Sequence, residues 1–119
     1  MKKTLVVGAS EKPYRYAYKA TKMLKDYGHE VLAFGKKKGY IDDTSITDEW
    51  PDDKEVETVT LYINPELQRQ YYEKIIALKP KRVIFNPGTE NIEFEKYLAQ
   101  NNIQPIEACT LVMLATNQY

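Results

Sequence analysis

Three apolar runs of this chain each stop at turn-forming residues, and a helical pattern begins soon after each of them. The runs with their turns occupy residues 4–10, 61–65 and 83–88. Apolar, largely β-branched segments of this length are typical of the buried strands of a parallel sheet. In an open α/β sheet, ligands bind outside the carboxyl ends of the strands, near the point where strand order reverses. The pattern therefore predicts an edge of the molecule as the ligand site, and it names no reaction.

The rest of the chain continues the alternation of strands and helices. Strands are predicted at residues 3–7, 30–34, 58–63, 82–85 and 104–108, and helices at 16–27, 65–79 and 91–101. Residues 36–50 resemble a loop with room for one short strand near Tyr40 or Ile46, and 111–115 fit a strand or a helix. The alternation predicts a Rossmann-like α/β fold, an open parallel sheet with helices on both faces. We expect one domain over residues 1–119.

Composition excludes several classes of function. The net charge is +0, which argues against non-specific nucleic-acid binding. No apolar run approaches the roughly 20 residues of a membrane span, and the first one is too short for a signal peptide, so we expect a cytoplasmic protein. A single cysteine and a single histidine exclude an internal disulfide and a cysteine-rich or multi-histidine metal site.

The turn after the first strand has features of a phosphate-binding turn. Gly8 lets the backbone approach a pyrophosphate, and the N-terminus of the following helix favours an anion. The standard Gly-x-Gly-x-x-Gly pattern is absent, however, because Ser10 replaces the second glycine and residues 11–13 lengthen the loop. By itself the turn fits either a phosphate site or an ordinary connection between strand and helix.

The residues after the second strand favour a phosphorylated ribose. A site for NAD usually has an acidic residue there, which accepts hydrogen bonds from the ribose hydroxyls. Here the chain reads Gly35-Lys36-Lys37-Lys38-Gly39. Lysines suit the ribose phosphate of NADP or of coenzyme A (CoA), and the alternative is a solvated lysine loop.

The motifs together resemble those of the small single-domain CoA-binding proteins, a family related to the CoA-binding domain of succinyl-CoA synthetase. The likeness begins with Val-Val-Gly-Ala-Ser-Glu-Lys-Pro-x-Arg-Tyr at residues 6–16 and continues at 24–31, 62–65 and 86–91, and at Cys109. It covers nearly the whole chain in order and spacing. One departure is Gly35-Lys36, where members of the family usually have an Asn-Pro step.

The resemblance implies a set of ligand contacts in four groups. These groups would hold, in turn, the pyrophosphate, the ribose phosphate, the adenine or its ribose, and the pantetheine. They are Gly8, Ala9 and Ser10 with Lys12, Pro13, Arg15 and Tyr16; Gly35, Lys36 and Lys37; Asn64 and Pro65; and Gly88 and Asn91.

The sequence predicts binding of CoA or an acyl-CoA by a carrier, a sensor or a subunit without chemistry of its own. No nucleophile–base pair stands out, and we interpret Cys109 as a packing residue, so no catalytic residue and no metal site are predicted. The alternatives are an NADP-dependent or acyl-CoA-processing enzyme, and an interaction domain whose nucleotide site has decayed. The acyl group, the pathway, and the choice between a homo-oligomer and a partner protein are left open.

Overall fold

The computed structural model describes residues 3–119, in which strands and helices alternate. The strands are β1 (Lys3–Val7), β2 (Glu30–Phe34), β3 (Gly39–Ile41), β4 (Thr44–Thr47), β5 (Thr58–Leu61), β6 (Arg82–Phe85) and β7 (Gln104–Glu107). The helices are α1 (Tyr16–Asp26), α2 (Pro65–Gln68), α3 (Tyr72–Leu78), α4 (Ile92–Gln100) and α5 (Thr110–Ala115). A 3₁₀ turn at Arg69–Tyr71 joins α2 to α3.

The strands form one sheet in the order β3-β4-β2-β1-β5-β6-β7, and every neighbouring pair is parallel except β3 with β4. Val7 pairs with Phe34 on one side and with Leu61 on the other, and Phe85 pairs with Leu61 and Glu107. Five adjacent strands therefore end at one level, namely β2, β1, β5, β6 and β7. We call this level the carboxyl edge. Strand order reverses at β1, so the ligand-binding crevice of such sheets lies beside its end.

Helices cover both faces of the sheet. Side chains on one face, such as Leu5 and Val83, form a buried core with α3 and α4. Side chains on the other face, such as Val6 and Ala33, pack against α1 and α5. Neighbouring residues such as Leu5 and Val6 enter different cores because side chains alternate between the faces of a strand. The predicted Rossmann-like architecture is confirmed.

The segment between β2 and β5 differs from the prediction of one short strand. Two strands form there, because Tyr40 pairs antiparallel with Ser45 in a tight hairpin. Asp42 takes the left-handed conformation in the turn, with a φ of 53°. The hairpin joins the sheet through β4, which runs parallel to β2.

The crossover from β4 to β5 contains no helix. Trp50 and Val56 pack over the sheet in its place, and Val56 is buried. The ring of Trp50 meets that of Phe34 edge-on at 5.0 Å between centroids and stacks on Tyr71 at 5.4 Å. Aromatic surface therefore covers the part of the sheet that a crossover helix covers elsewhere.

Two further differences concern helices. The predicted helix from Pro65 is interrupted by the 3₁₀ turn before it ends at Lys79, which has a φ of 53° and precedes Pro80. The ambiguous segment at 111–115 is helical. Among residues 3–119, none of the helices is both long and apolar enough to span a membrane.

Candidate functional site

The turns that carry most of the predicted ligand contacts meet at the carboxyl edge. Gly8 follows β1 and Gly35 follows β2, on one side of the point where strand order reverses. Asn64 and Gly88 belong to the turns after β5 and β6, on the other side. The parallel register of these four strands places their ends side by side, as the sequence pattern predicts.

Gly8 is required by the packing of the protein's own backbone. Its φ is +98°, and a Cβ atom built on it would lie 3.1 Å from the carbonyl carbon of Tyr62. The N–H groups of Gly8 and Ala9 both donate to the carbonyl of Phe34 at 2.9 Å. These two groups are therefore engaged within the protein and are not open donors for a pyrophosphate.

The open donors lie further along the same loop. Within the described part of the chain, the N–H groups of Ser10 and Glu11 have no hydrogen-bond acceptor. The hydroxyl of Ser10 accepts the N–H of Lys12 at 3.1 Å, which shapes the loop. The open backbone donors thus lie two and three residues after the glycine, toward α1.

The N-terminus of α1 differs from those of α2 and α4 at the same edge. Arg15 caps α1 without a side-chain hydrogen bond, and the first turn of α1 carries no acidic residue. In contrast, Asn64 caps α2 by accepting the N–H of Leu67, and Asn91 caps α4 by accepting that of Phe94. Both of those helices also begin with glutamates. Of these three helices, α1 is therefore the one whose partial positive charge is left open to an external anion.

Five cationic side chains lie on the two loops next to that helix end, the loop after β1 and the loop after β2. They are exposed, and within residues 3–119 they lie beyond 4.0 Å from every carboxylate: Lys12, Arg15, Lys36, Lys37 and Lys38. Some lysines elsewhere have such partners, as Lys22 has Asp42 at 3.3 Å and Lys25 has Asp43 at 3.3 Å, whereas others, such as Lys74 and Lys96, have none among the described residues. Several unpaired cations near a helix N-terminus favour a ligand with several negative charges.

The loop that carries the three lysines rests on the loop after β1 at both of its ends. A Cβ atom on Gly35 would lie 2.3 Å from the carbonyl oxygen of Ala9. A Cβ atom on Gly39 would lie 2.3 Å from Cδ of Glu11. The carboxylate of Glu11 also accepts the N–H of Tyr40 at 3.0 Å. We call residues 35–39 the lysine loop.

Gln68 joins the turns after β5 and β6, and the sequence interpretation did not single it out. Its fully buried amide donates to the carbonyls of Ile63 at 2.9 Å and Thr89 at 2.8 Å. Its oxygen accepts the Nδ2 group of Asn91, which also donates to the hydroxyl of Tyr72. A signal existed, because Gln68 is seven residues before the buried Ile75 and so shares its face of the helix.

This network engages the polar atoms of two predicted contact residues. The side-chain oxygen of Asn91 caps α4, and its nitrogen makes the two bonds just described. The side-chain oxygen of Asn64 caps α2. Gly88 is different: it is exposed, its φ is +92°, and nothing lies within 4 Å of the position of a Cβ atom. Its N–H donates to the carboxylate of Glu90 at 2.9 Å.

A cleft of about 300 Å³ opens between the N-termini of α2 and α4. Its walls include Pro65, Tyr72 and Asn91, and an ion pair of 3.5 Å between Arg69 and Glu93 crosses it. The cleft adjoins the turns predicted to contact the adenine and the pantetheine, and it lies on the far side of β5 from the cations.

Cys109 stands at the start of α5, on the same edge, and is half-buried. The next residue, Thr110, is held by Asn86, whose side chain accepts the Thr110 N–H and donates to Thr60. Burial raises the pKa of the neighbouring Tyr62 to about 12, so this phenol stays protonated at neutral pH. Within residues 3–119 no hydrogen bond links Cys109 to an acidic residue or histidine, and no cluster of metal-ligating residues forms.

Comparison with solved structures identifies close structural relatives. One crystal structure, of a protein described as uncharacterized, is 52% identical with a TM-score of 0.97, and the match covers 100% of this chain and 98% of that one. A hypothetical protein from Pyrococcus horikoshii OT3 is 28% identical with a TM-score of 0.87, over 97% and 82% of the two chains. A Thermus thermophilus protein at 21% identity and a TM-score of 0.83, over 99% and 90%, shares the fold.

The family comparison covers almost the whole chain. No curated protein matches the sequence significantly. A family model described as a CoA binding domain matches residues 2–115, from the first strand through the last helix. The chain belongs to this family of CoA-binding domains.

Proposed function

We propose that the chain binds CoA or an acyl-CoA across the carboxyl edge, with the pyrophosphate at α1 and the ribose 3′-phosphate at the lysine loop. One observation carries the proposal: the uncapped N-terminus of α1 adjoins two loops that carry five cations without a carboxylate partner within residues 3–119. CoA carries negative charge at both its pyrophosphate and its 3′-phosphate, so it suits two adjoining cationic sites.

The pyrophosphate part of the site consists of backbone and cations. The open N–H groups of Ser10 and Glu11 would donate to it, and Lys12 and Arg15 would supply charge. Pro13 and Tyr16 are exposed beside them. Gly8 and Ala9 contribute by holding the turn in shape, because their own N–H groups bind Phe34.

The ribose phosphate would lie against Lys36 and Lys37, which follow Gly35 in the lysine loop. The close approach of Gly35 to Ala9 keeps this loop next to the pyrophosphate site. The same lysines also suit the 2′-phosphate of NADP, so the distinction between CoA and NADP depends on the remainder of the ligand. That is why the test below includes both.

The other end of CoA would pass the turns after β5 and β6. The side-chain oxygen of Asn64 and the amide of Asn91 are engaged within the protein. Contact there would therefore come from the ring of Pro65 and the exposed surface of Gly88. These surfaces suit the adenosine and the pantetheine, which need shape and apolar contact more than charge.

We propose a carrier, a sensor or a subunit rather than an enzyme. Cys109 is half-buried and has no acid or base bonded to it within the described residues. His29 immediately precedes β2 and so lies at the opposite edge of the sheet. The geometry therefore supports ligand capture and offers no activated nucleophile.

Calorimetry with CoA, acetyl-CoA, dephospho-CoA, NADP and NAD tests the ligand. We expect CoA and acetyl-CoA to bind with similar affinity, dephospho-CoA more weakly, and NAD most weakly. A preference for NADP would instead support the alternative of an NADP-dependent enzyme. Absence of binding to all five would indicate an interaction domain with a decayed site.

A second measurement separates a binding module from an enzyme. Cys109→Ala should leave the affinity for CoA unchanged, because we interpret this thiol as a packing group. Incubation of the unaltered protein with acyl-CoA should release no free thiol. Turnover that Cys109→Ala abolishes would establish the acyl-CoA-processing enzyme instead.

A further inference from the structure

Gly39 closes the lysine loop, and its own backbone does not explain why a glycine stands there. Its φ lies outside the left-handed range that favours glycine. The reason is the side chain of Glu11, which occupies the space of a Cβ atom and would lie 2.3 Å from it at Cδ. The absence of a side chain at Gly39 therefore leaves the space that the Glu11 side chain occupies beside β3.

Glu11 is also an unexpected residue for an anion site. It is exposed, and its own N–H and that of Ser10 are the open donors of the loop after β1 (residues 8–15), which we call the phosphate loop. A negative charge there repels a phosphate. Its carboxylate makes no ion pair within 4.0 Å among the described residues, although five cations surround this edge. It accepts the N–H of Tyr40 at 3.0 Å instead.

The lysine loop contacts the phosphate loop at two places, and the two contacts are of different kinds. At Gly35 the contact is backbone against backbone. At Gly39 and Tyr40 the contact with the phosphate loop is made by one side chain, that of Glu11, while β3 itself pairs with β4. Removing Glu11 would leave the lysines held between β2 and β3 but would remove the contact of the β3 end of the lysine loop with the phosphate loop.

We propose that Glu11 is a positioning residue that holds the lysine loop against the phosphate loop and thereby sets the preference for a ligand with a ribose phosphate. The inference rests on the function proposed above. Its physical basis is preorganisation: a loop fixed in its binding conformation loses less conformational entropy when the ligand arrives. The gain in preorganisation offsets the repulsion between the carboxylate and the phosphates.

The experiment compares variants that differ in one property at a time. Glu11→Gln removes the charge and keeps an oxygen that can accept the Tyr40 N–H, whereas Glu11→Ala removes both. Gly39→Ala displaces the Glu11 side chain without altering it. Asp48→Ala is the matched control, because it removes an exposed acid that follows β4 at the same edge and makes none of the hydrogen bonds found here within residues 3–119.

Calorimetry gives the ratio of the affinities for CoA and dephospho-CoA in each variant, and a thermal melt gives its stability. We expect Glu11→Gln and Asp48→Ala to keep the ratio of the unaltered protein. Glu11→Ala and Gly39→Ala should lower it by roughly tenfold, the size of one partly lost charge-assisted contact, while the affinity for dephospho-CoA does not fall. A merely structural role would weaken both ligands together and leave the ratio in place.

The outcomes separate this inference from the proposed function. If the unaltered protein prefers CoA and all four variants keep that preference, Glu11 has no positioning role and the proposed function stands. If the ratio falls equally in Glu11→Gln and Glu11→Ala, the charge rather than the hydrogen bond matters, and the inference is wrong. If the unaltered protein binds neither ligand, or binds both equally, the assignment of the lysine loop fails first and this inference fails with it.

Discussion

The carbonyl oxygen of Ala9 faces Gly35 so closely that a Cβ atom at position 35 would lie 2.3 Å from it. On its other side, the N–H of Gly35 donates to the carbonyl of Thr47 at 3.0 Å. The turns after β1 and β2 are therefore packed backbone against backbone. This approach explains the glycine at position 35, and it fixes the spacing between the two loops that carry the cations.

Gly35→Ala should destabilise the protein by about 1–3 kcal/mol, because a methyl group there overlaps a backbone atom that cannot move freely. Gly39→Ala is the control, since the atoms that its methyl group meets belong to a flexible, exposed side chain. We expect a change within about 0.5 kcal/mol for the control. Urea denaturation measures both, and equal losses would contradict the close packing of the two turns.

Replacing Lys36 and Lys37 together by alanine should weaken CoA and leave dephospho-CoA nearly unaffected. Each charge-assisted contact with a phosphate contributes about 1–3 kcal/mol, so the affinity for CoA should fall at least tenfold. The control replaces Lys81 and Lys96, which removes the same charge away from the lysine loop. An equal loss in the control would show that only the overall charge of the protein matters.

An acid placed in the first turn of α1 should act on stability and on binding in opposite directions. Tyr16→Asp adds a negative charge at the helix N-terminus, which stabilises the helix by about 0.3–1 kcal/mol. The same charge should repel the pyrophosphate and lower CoA affinity severalfold below that of Tyr16→Asn, the neutral variant of similar shape. If the two variants bound CoA equally, the pyrophosphate would not lie at this helix end.

The strands of the central sheet could be predicted closely because their signals are local. Apolar runs bounded by turn residues locate β1, β2 and β6 at their observed limits. The β3–β4 hairpin was missed in part because each of its strands is short and becomes regular only by pairing with the other. Pairing is a property of the tertiary structure, and single-sequence periodicity does not report it.

The site was predictable as a location, and less so as a set of atoms. The positions of the turns follow from the strand pattern, but the N–H groups of Gly8 and Ala9 are engaged by Phe34, which is distant in sequence. The roles of Gln68 and Glu11 likewise depend on partners more than 20 residues away. Such pairings are fixed by how the loops pack, so the sequence indicates residue types that suit phosphate and leaves their partners undefined.

Gln68→Leu should cost about 2–4 kcal/mol of stability, since it leaves the part-buried carbonyl of Ile63 and the buried carbonyl of Thr89 without their donor. The matched control is Gln70→Leu, which replaces an exposed glutamine in the same helical segment. Chemical denaturation of the two variants makes the comparison. A loss no greater than that of the control would mean that the buried amide contributes little to joining the two turns.

Because of Glu95, the free energy of unfolding should fall as the pH rises through the pKa that this carboxyl has in the folded protein. Burial, and next the hydrogen bond with the carboxyl of Glu107, raise its pKa in the folded protein above the ordinary value of 4.5. The folded state therefore binds the proton more tightly than the unfolded chain does. The resulting stabilisation is fully present below pH 4.5 and is lost as the pH rises through the folded pKa.

Glu95→Gln should remove this dependence, because the amide stays neutral while its oxygen can still accept the N–H of Asn91. Thermal midpoints measured from pH 4 to 8 should show the variant gaining on the unaltered protein as the pH rises. Glu93→Gln removes an exposed charge from the same helical turn, so subtracting its effect leaves the part due to the raised pKa of Glu95. A constant offset between Glu95→Gln and the unaltered protein at every pH would show that Glu95 and Glu107 do not share a proton in the folded state.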